Sequence, residues 1–287
     1  SMMLPGKSIT NQEVAVVISK LLKLNTTSSD DLSLKFKDTS DIPNWSAGAI
    51  KAVASRGYMK GYNDQTFKPA KPITRAEAVV VLNSCYLKHI KKSLYLSGTY
   101  TEGTVEGSIL IGSEDVTLKD TIINGDLILS EEIGDGNAYL NNVIVKGDTL
   151  LKGGGMNSIY IEDSSLTNIV IIKVDNKVRV VAMGNSGIDS VRMQSGAYLE
   201  EQGVTGKGFG SVIIGEEAAE NASIILTGNF ESVYIMADNV NLSLLSGSIG
   251  SLNITNQGTA SNINIAAGST VSNMVLDAAA NVTGSGS

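Results

Sequence analysis

The chain has 287 residues, 42% hydrophobic but only 5% aromatic, with 30 glycines and 4 prolines. That composition is too poor in large anchors for a bulky-cored globule and suits stacked short strands joined by tight turns. A single cysteine, Cys85, excludes an internal disulfide framework, and no run reaches the roughly 18 apolar residues of a membrane span, so membrane insertion is not expected.

The net charge of −7 hides a split. Residues 1–93 carry 14 Lys and Arg against 7 Asp and Glu, whereas residues 94–287 carry 8 against 22. A basic head on an acidic body directs the head towards an anion. Nucleic acid is a poor fit for that anion. The head lacks a dense basic stripe interleaved with aromatics, and the body would repel a phosphate backbone.

In chain order, Ser1-Met2-Met3-Leu4-Pro5-Gly6 lacks the charged start and apolar run of a signal peptide. Thr10 and Glu13 then form a capping box ahead of Val14, Val17, Ile18, Leu21 and Leu22 at helical spacing. A shorter helix starts at Asn44 or Ser46, runs through Ile50 and Val53, and stops at Gly57. Asn63-Asp64 makes a turn before Phe67 and Pro69. Thr74 and Glu77 repeat the capping box ahead of Ala78, Val81, Leu82 and Cys85, so Cys85 is expected to be buried. The expected head core is Phe36, Trp45, Ile50, Val53, Phe67, Ile73 and Val81. His89 falls near a helix end, where a cation suits the dipole.

The ordered set Phe36-Lys37-Asp38, Trp45, Gly61-Tyr62, Phe67-Lys68-Pro69 and Thr74-Arg75-Ala76-Glu77 resembles one complete S-layer homology repeat. Many bacteria use this module to hold exported proteins on cell-wall polysaccharide. The earlier Ile9-Thr10-Asn11-Gln12-Glu13 resembles the tail of a preceding repeat, with Asn11 where the second copy has Arg75. The resemblance implies a small α-helical domain over residues 1–93 on a secreted, wall-associated protein. Its implied partner is an anionic, pyruvylated secondary cell-wall polysaccharide. By position it assigns the key contact to Arg75 and lines the groove with Asp38, Trp45, Gly61 and Tyr62. Read from the residues alone, Arg75 at a helix start offers a guanidinium fork beside free amides. Trp45 reads as core, and Glu77 as a cap with no ligand contact. In the family, three repeats usually form a three-pronged unit with grooves between neighbours, so a complete site here would need a further repeat.

Residues 91–106, with Lys91, Lys92, Gly98 and Gly103, read as a connector. From about Gly107 short Val, Ile and Leu runs alternate with Gly, Asn, Ser and Asp. A pattern of apolar, any, small polar, apolar, any, apolar starts at Leu166, Ile188, Phe209, Phe230, Ile249 and Val271. A period near 21 residues with three short strands per turn predicts an all-β, right-handed parallel β-helix over residues 94–287. Ser190, Ser211, Ser232 and Ser251 should then fall in one line at a corner.

The body invites an enzyme reading as a surface-tethered polysaccharide lyase or hydrolase, with Asp126 and Asp148 on adjacent coils as the best carboxylate pair. The pair is also explained as turn residues after glycine. One histidine and one cysteine leave no zinc site and no Ser-His-Asp or Cys-His arrangement. Gly206-Lys207-Gly208-Phe209-Gly210 lacks the strand and helix of a phosphate loop. No catalytic residue, metal or cofactor is therefore expected. The leading expectation is a non-catalytic surface protein with a rigid body that projects or self-associates. A glycan-binding β-helix is the remaining alternative.

Overall fold

A computed structural model describes residues 8–22, 24, 26, 36–156, 159–173, 177–255 and 260–287, with the backbone alone at residues 86–88. The Ser1–Gly6 start lies outside them. The chain divides into two compact units, residues 1–89 and 90–287.

The first unit contains α1 (Asn11–Leu21), α2 (Asn44–Ser55) and α3 (Arg75–His89). Both capping boxes form. The Thr10 amide donates to Glu13 at 2.7 Å and the Thr74 amide to Glu77 at 2.8 Å, and the Glu77 amide returns a bond to the Thr74 hydroxyl. Gly57 stops α2 at φ 66°, and Cys85 is buried on α3. Ala15, Ile18, Phe36, Ile50, Val53 and Phe67 form the core, with Phe36 and Phe67 edge to face at 5.3 Å.

Trp45 is not in that core. It is 59% exposed. The inward face of α2 is Ser46, Ala49, Ile50 and Val53, and the aromatic slot is already filled by the two phenylalanines. Trp45, in the first turn, is left on the solvent side.

The second unit is a parallel β-solenoid of about nine coils. Each coil adds a strand to each of three ladders, because a chain that turns every 18 to 22 residues or so buries its apolar side chains only against the coil above and below. One ladder runs Val116, Ala138, Ile159, Val180, Leu199, Leu226 and Leu244. Another runs Leu94, Ile111, Leu129, Leu151, Ile171, Met193 and Ile214. All these side chains are buried in one continuous core. Phe209 and Phe230 stack at 5.7 Å in the third ladder.

Ser190, Ser211, Ser232 and Ser251 do pair in sequence along one line, which Asp148 and Asn168 extend at one end and Asn273 at the other. Their side chains bond along the line: Asn168 to Asp148 at 3.1 Å, Ser190 to Asn168 at 2.7 Å, Ser232 to Ser211 at 3.0 Å. Beside it, the Gly147 amide donates to the Gly125 carbonyl at 3.0 Å, and a Cβ on Gly147 would meet that oxygen at 2.6 Å. Only glycine lets the coils close there.

The segment read as a connector is the first coil. β1 (Ile90–Leu94) pairs with residues 108–111, and β2 (Gly98–Val105) pairs with residues 116–123. It hides its repeat because Lys92, Gly98 and Tyr100 stand where the next coil carries Ile109, Val116 and Leu118.

Candidate functional site

The starts of α1 and α3 lie side by side. The Ile73 amide bonds the Ile9 carbonyl, the Asn11 amide bonds Lys71, and the Gln12 amide bonds Pro69, each at 3.0 Å. These carbonyls occupy the free donors that an α-helix presents at its first turn, so α1 has no room for an anion there.

Between the two starts stands Tyr62. Its hydroxyl accepts from the Asn11 amide nitrogen at 3.2 Å and the Lys71 ammonium at 3.1 Å, and donates to Glu77 at 2.9 Å. Lys68 and Lys71 lie over the ring at 4.6 and 4.5 Å. Lys71 also meets Glu77 at 2.9 Å. The Lys71 hydrogen bond, reinforced by Thr74 and Tyr62, holds the Glu77 carboxyl at about 2 against an ordinary 4.5, and the same pairing raises Lys71. Glu77 thus does more than cap a helix.

The loop after Tyr62 is a fixed cradle. Asp38 accepts from the amides of Phe67 and Lys68, both at 2.8 Å, and holds Lys68 at φ 53°. Gly61, at φ 75°, leaves no room for a Cβ, which would meet Phe36 at 2.5 Å and the Thr66 carbonyl at 2.7 Å. What the cradle holds is Asn11. Its side-chain nitrogen donates to the carbonyls of Phe67 and Lys68 at 3.3 and 3.0 Å, and the residue is 3% exposed.

Of the residues assigned by resemblance, Asp38, Gly61 and Tyr62 come together around Asn11. Trp45 stands apart on the exposed start of α2. Arg75 is the first residue of α3 and exposed, with no hydrogen-bond or ion-pair partner among the described residues. The amides of Arg75 and Ala76 likewise find no acceptor among the described residues, so this helix start keeps free donors.

The two capped helices are equivalent, and their burial is not. Aligned on Thr10 and Thr74, the buried Asn11, Ala15, Ile18 and Ser19 of α1 correspond to Arg75, Val79, Leu82 and Asn83 of α3. All four of the latter are exposed, Val79 at 64% and Leu82 at 59%. In α1 this face packs on α2 and the Tyr62–Lys68 loop; in α3 it is bare. Sequence reading treated Asn11 as a lost arginine and missed its cradle, for which the only signal was its register with Arg75.

Comparison with known proteins matches residues 35–79 to the S-layer homology domain. Residues 35–79 are an S-layer homology domain. The match starts after α1. Over 80 residues, 28% of the chain, it is 44% identical to Cell surface glycoprotein 1 of Acetivibrio thermocellus. Over 78 residues, 27% of the chain, it is 44% identical to the Cellulosome-anchoring protein of the same organism. It spans only 3% and 17% of those relatives. No solved structure matches the chain significantly. The S-layer homology domain and these relatives mark it as a cell-surface, cell-wall-associated protein.

Acid tests the Tyr62 network. Because the folded Glu77 carboxyl lies below its ordinary value, its contribution is present above about pH 4.5 and lost as pH falls towards 2. In a carboxyl NMR titration of the intact chain, Glu77 should titrate near 2, and in Lys71→Met it should move up. An unmoved midpoint in the variant would show that Lys71 is not the cause.

Proposed function

We propose that the head anchors the protein by gripping an anionic secondary cell-wall polysaccharide at the start of α3. Arg75 supplies a bidentate guanidinium for a carboxylate, and the free amides of Arg75 and Ala76 add donors aligned with the helix dipole. One observation carries the reading: Arg75 is bare where its equivalent Asn11 is filled. The exposed Val79, Leu82 and Asn83 face suggests that a further module supplies the second wall of the groove, as the Tyr62–Lys68 loop does for Asn11. Asp38 and Gly61 then act by shaping the loop, Tyr62 by tying the two helix starts, and Trp45 is available as an exposed aromatic.

The body, on this reading, projects from the wall and is not catalytic. Asp126 accepts the Asp148 amide at 2.9 Å, and Asp148 accepts from Asn168, so both carboxylates are engaged in the polar line along the coils. Glu132 and Glu217 are held below their ordinary range by Ser130 and Arg192 respectively. For Glu200, burial pushes upward but bonds from Arg179 and Gln202 prevail and lower it. A general acid needs the opposite displacement.

The test is co-sedimentation with purified walls bearing the secondary polymer. Wild type should be retained. Arg75→Ala should lose at least about tenfold in affinity, equivalent to roughly 1.4 kcal/mol, with an unchanged circular dichroism spectrum, and Arg75→Lys should recover only part of it. Equal retention of Arg75→Ala would remove Arg75 from the site. Absence of wild-type retention would reject the start of α3 as an anchor sufficient by itself.

A further inference from the structure

The solenoid carries a second surface that the head's anchoring does not use. On the flank whose inward ladder runs from Val116 to Leu244, the outward positions of successive coils are Thr99, Thr117, Tyr139 and Tyr160. The two tyrosine rings stack at 5.2 Å and 5°. Tyr198 stands two coils beyond Tyr160, two residues off that row, which continues through Val181 to Glu200. The Arg179 guanidinium lies over its ring at 5.7 Å, and its hydroxyl is 3.1 Å from that of Thr227. Arg179 bonds Glu200 at 2.8 Å, with side-chain exposures of only 19% and 13%. Two residues along the strands from the stacked pair, Asn141 donates to Glu162 at 2.9 Å.

These side chains form a ledge. The row rises from threonine to tyrosine at Tyr139. Tyr160 stacks on one ring face of Tyr139, and on the other side the row continues with the shorter Thr117. A pyranose ring has an apolar C–H face and a rim of hydroxyls. A phenol ring suits the first, and planar Asn, Glu and Arg groups suit the second. Charge narrows the ligand. Arg179 and Glu200 cancel one another, while the body as a whole carries 8 basic residues against 22 acidic ones in residues 94–287. An acidic polymer is repelled by that field and by Glu162, which leaves the patch with one carboxylate beyond the Arg179–Glu200 pair.

The geometry points to a binding site for an uncharged polysaccharide on this flank, with Tyr139 as the stacking platform, Tyr160 backing it, and Asn141, Glu162 and the Arg179–Glu200 pair as the hydrogen-bonding fringe. It is separate in residues and in ligand charge from the site at Arg75, and it gives a wall-anchored protein a grip on a second, neutral glycan.

Affinity electrophoresis of the full chain through gels containing soluble β-glucan, xylan or mannan tests it. At least one of these should retard the wild type. Tyr139→Thr continues the threonine row with a β-compatible side chain, so its fold is kept. It should weaken retardation by about tenfold, the limit of a single aromatic contact near 1.4 kcal/mol. Tyr139→Phe keeps the ring and should bind within about twofold of wild type. Arg75→Ala should be retarded like the wild type, which separates this site from the anchoring reading. No retardation of the wild type by any of the three, or undiminished retardation of Tyr139→Thr, would overturn the inference. So would loss of retardation in Arg75→Ala alone.

Discussion

Asp38→Ala is expected to unfold the cradle of the S-layer homology module, and with it the wall retention of the whole chain. The carboxylate makes two charge-assisted bonds, to the amides of Phe67 and Lys68. Losing both costs about 3 kcal/mol, a large share of what so small a helical unit has. The damage spreads because the carbonyls of the same two residues hold Asn11, and so fix the start of α1 against this loop. If Asp38 were instead a ligand contact on an intact scaffold, Asp38→Ala would abolish retention with the head still folded. Amide exchange separates these outcomes. Rapid exchange at Phe67 and Lys68 together with α1 is the structural result, and preserved protection there would return Asp38 to the ligand site.

Phe209→Ala should be the most damaging single truncation in the solenoid. Phe209 is 1% exposed and stacks on Phe230 of the next coil. Removing it costs about 3–5 kcal/mol through lost transfer energy and a cavity the stacked coils do not fill. For a unit of this size each kcal/mol lowers the midpoint by about 2–4 °C, so thermal unfolding followed by circular dichroism should fall by about 10 °C. Solenoid stability is a sum over neighbouring coils, and the loss should be local. Hydrogen exchange should rise first in the coils holding residues 187–193, 208–214 and 223–235. A uniform rise across the unit would show that the coils unfold together. Phe209→Leu keeps most of the volume and should recover most of the midpoint.

Much of this architecture was legible in the residues. The Thr-x-x-Glu pairs form both caps because a capping box is a four-residue device needing nothing from the rest of the chain. The small polar line was legible because identical positions recur every coil, so the serines report the period directly. The first coil was not, since Lys92, Gly98 and Tyr100 take positions where the next coil has Ile109, Val116 and Leu118. Trp45 misled because a lone tryptophan reads as an anchor, whereas the helix face that points inward depends on the partner. The tyrosine ledge was invisible too. Tyr139 and Tyr160 are 21 residues apart like many other pairs, and nothing local says that both face outward while Thr117 stands short beside them.

By itself, the sequence determined the kind of module at each end of the chain and the path of the backbone within them. Caps, glycine closures and a 21-residue period are short-range constraints that each residue satisfies with near neighbours in sequence or in the adjacent coil. Only the tertiary structure decided which of two equivalent helix starts is open. Asn11 and Arg75 occupy the same position of the same motif. One is sealed because the Tyr62–Lys68 loop, some fifty residues away in the chain, folds over it. The other is bare because no described segment does. Exposure belongs to the arrangement of segments, and a side chain's chemistry becomes a binding site only where that arrangement leaves it unpaired.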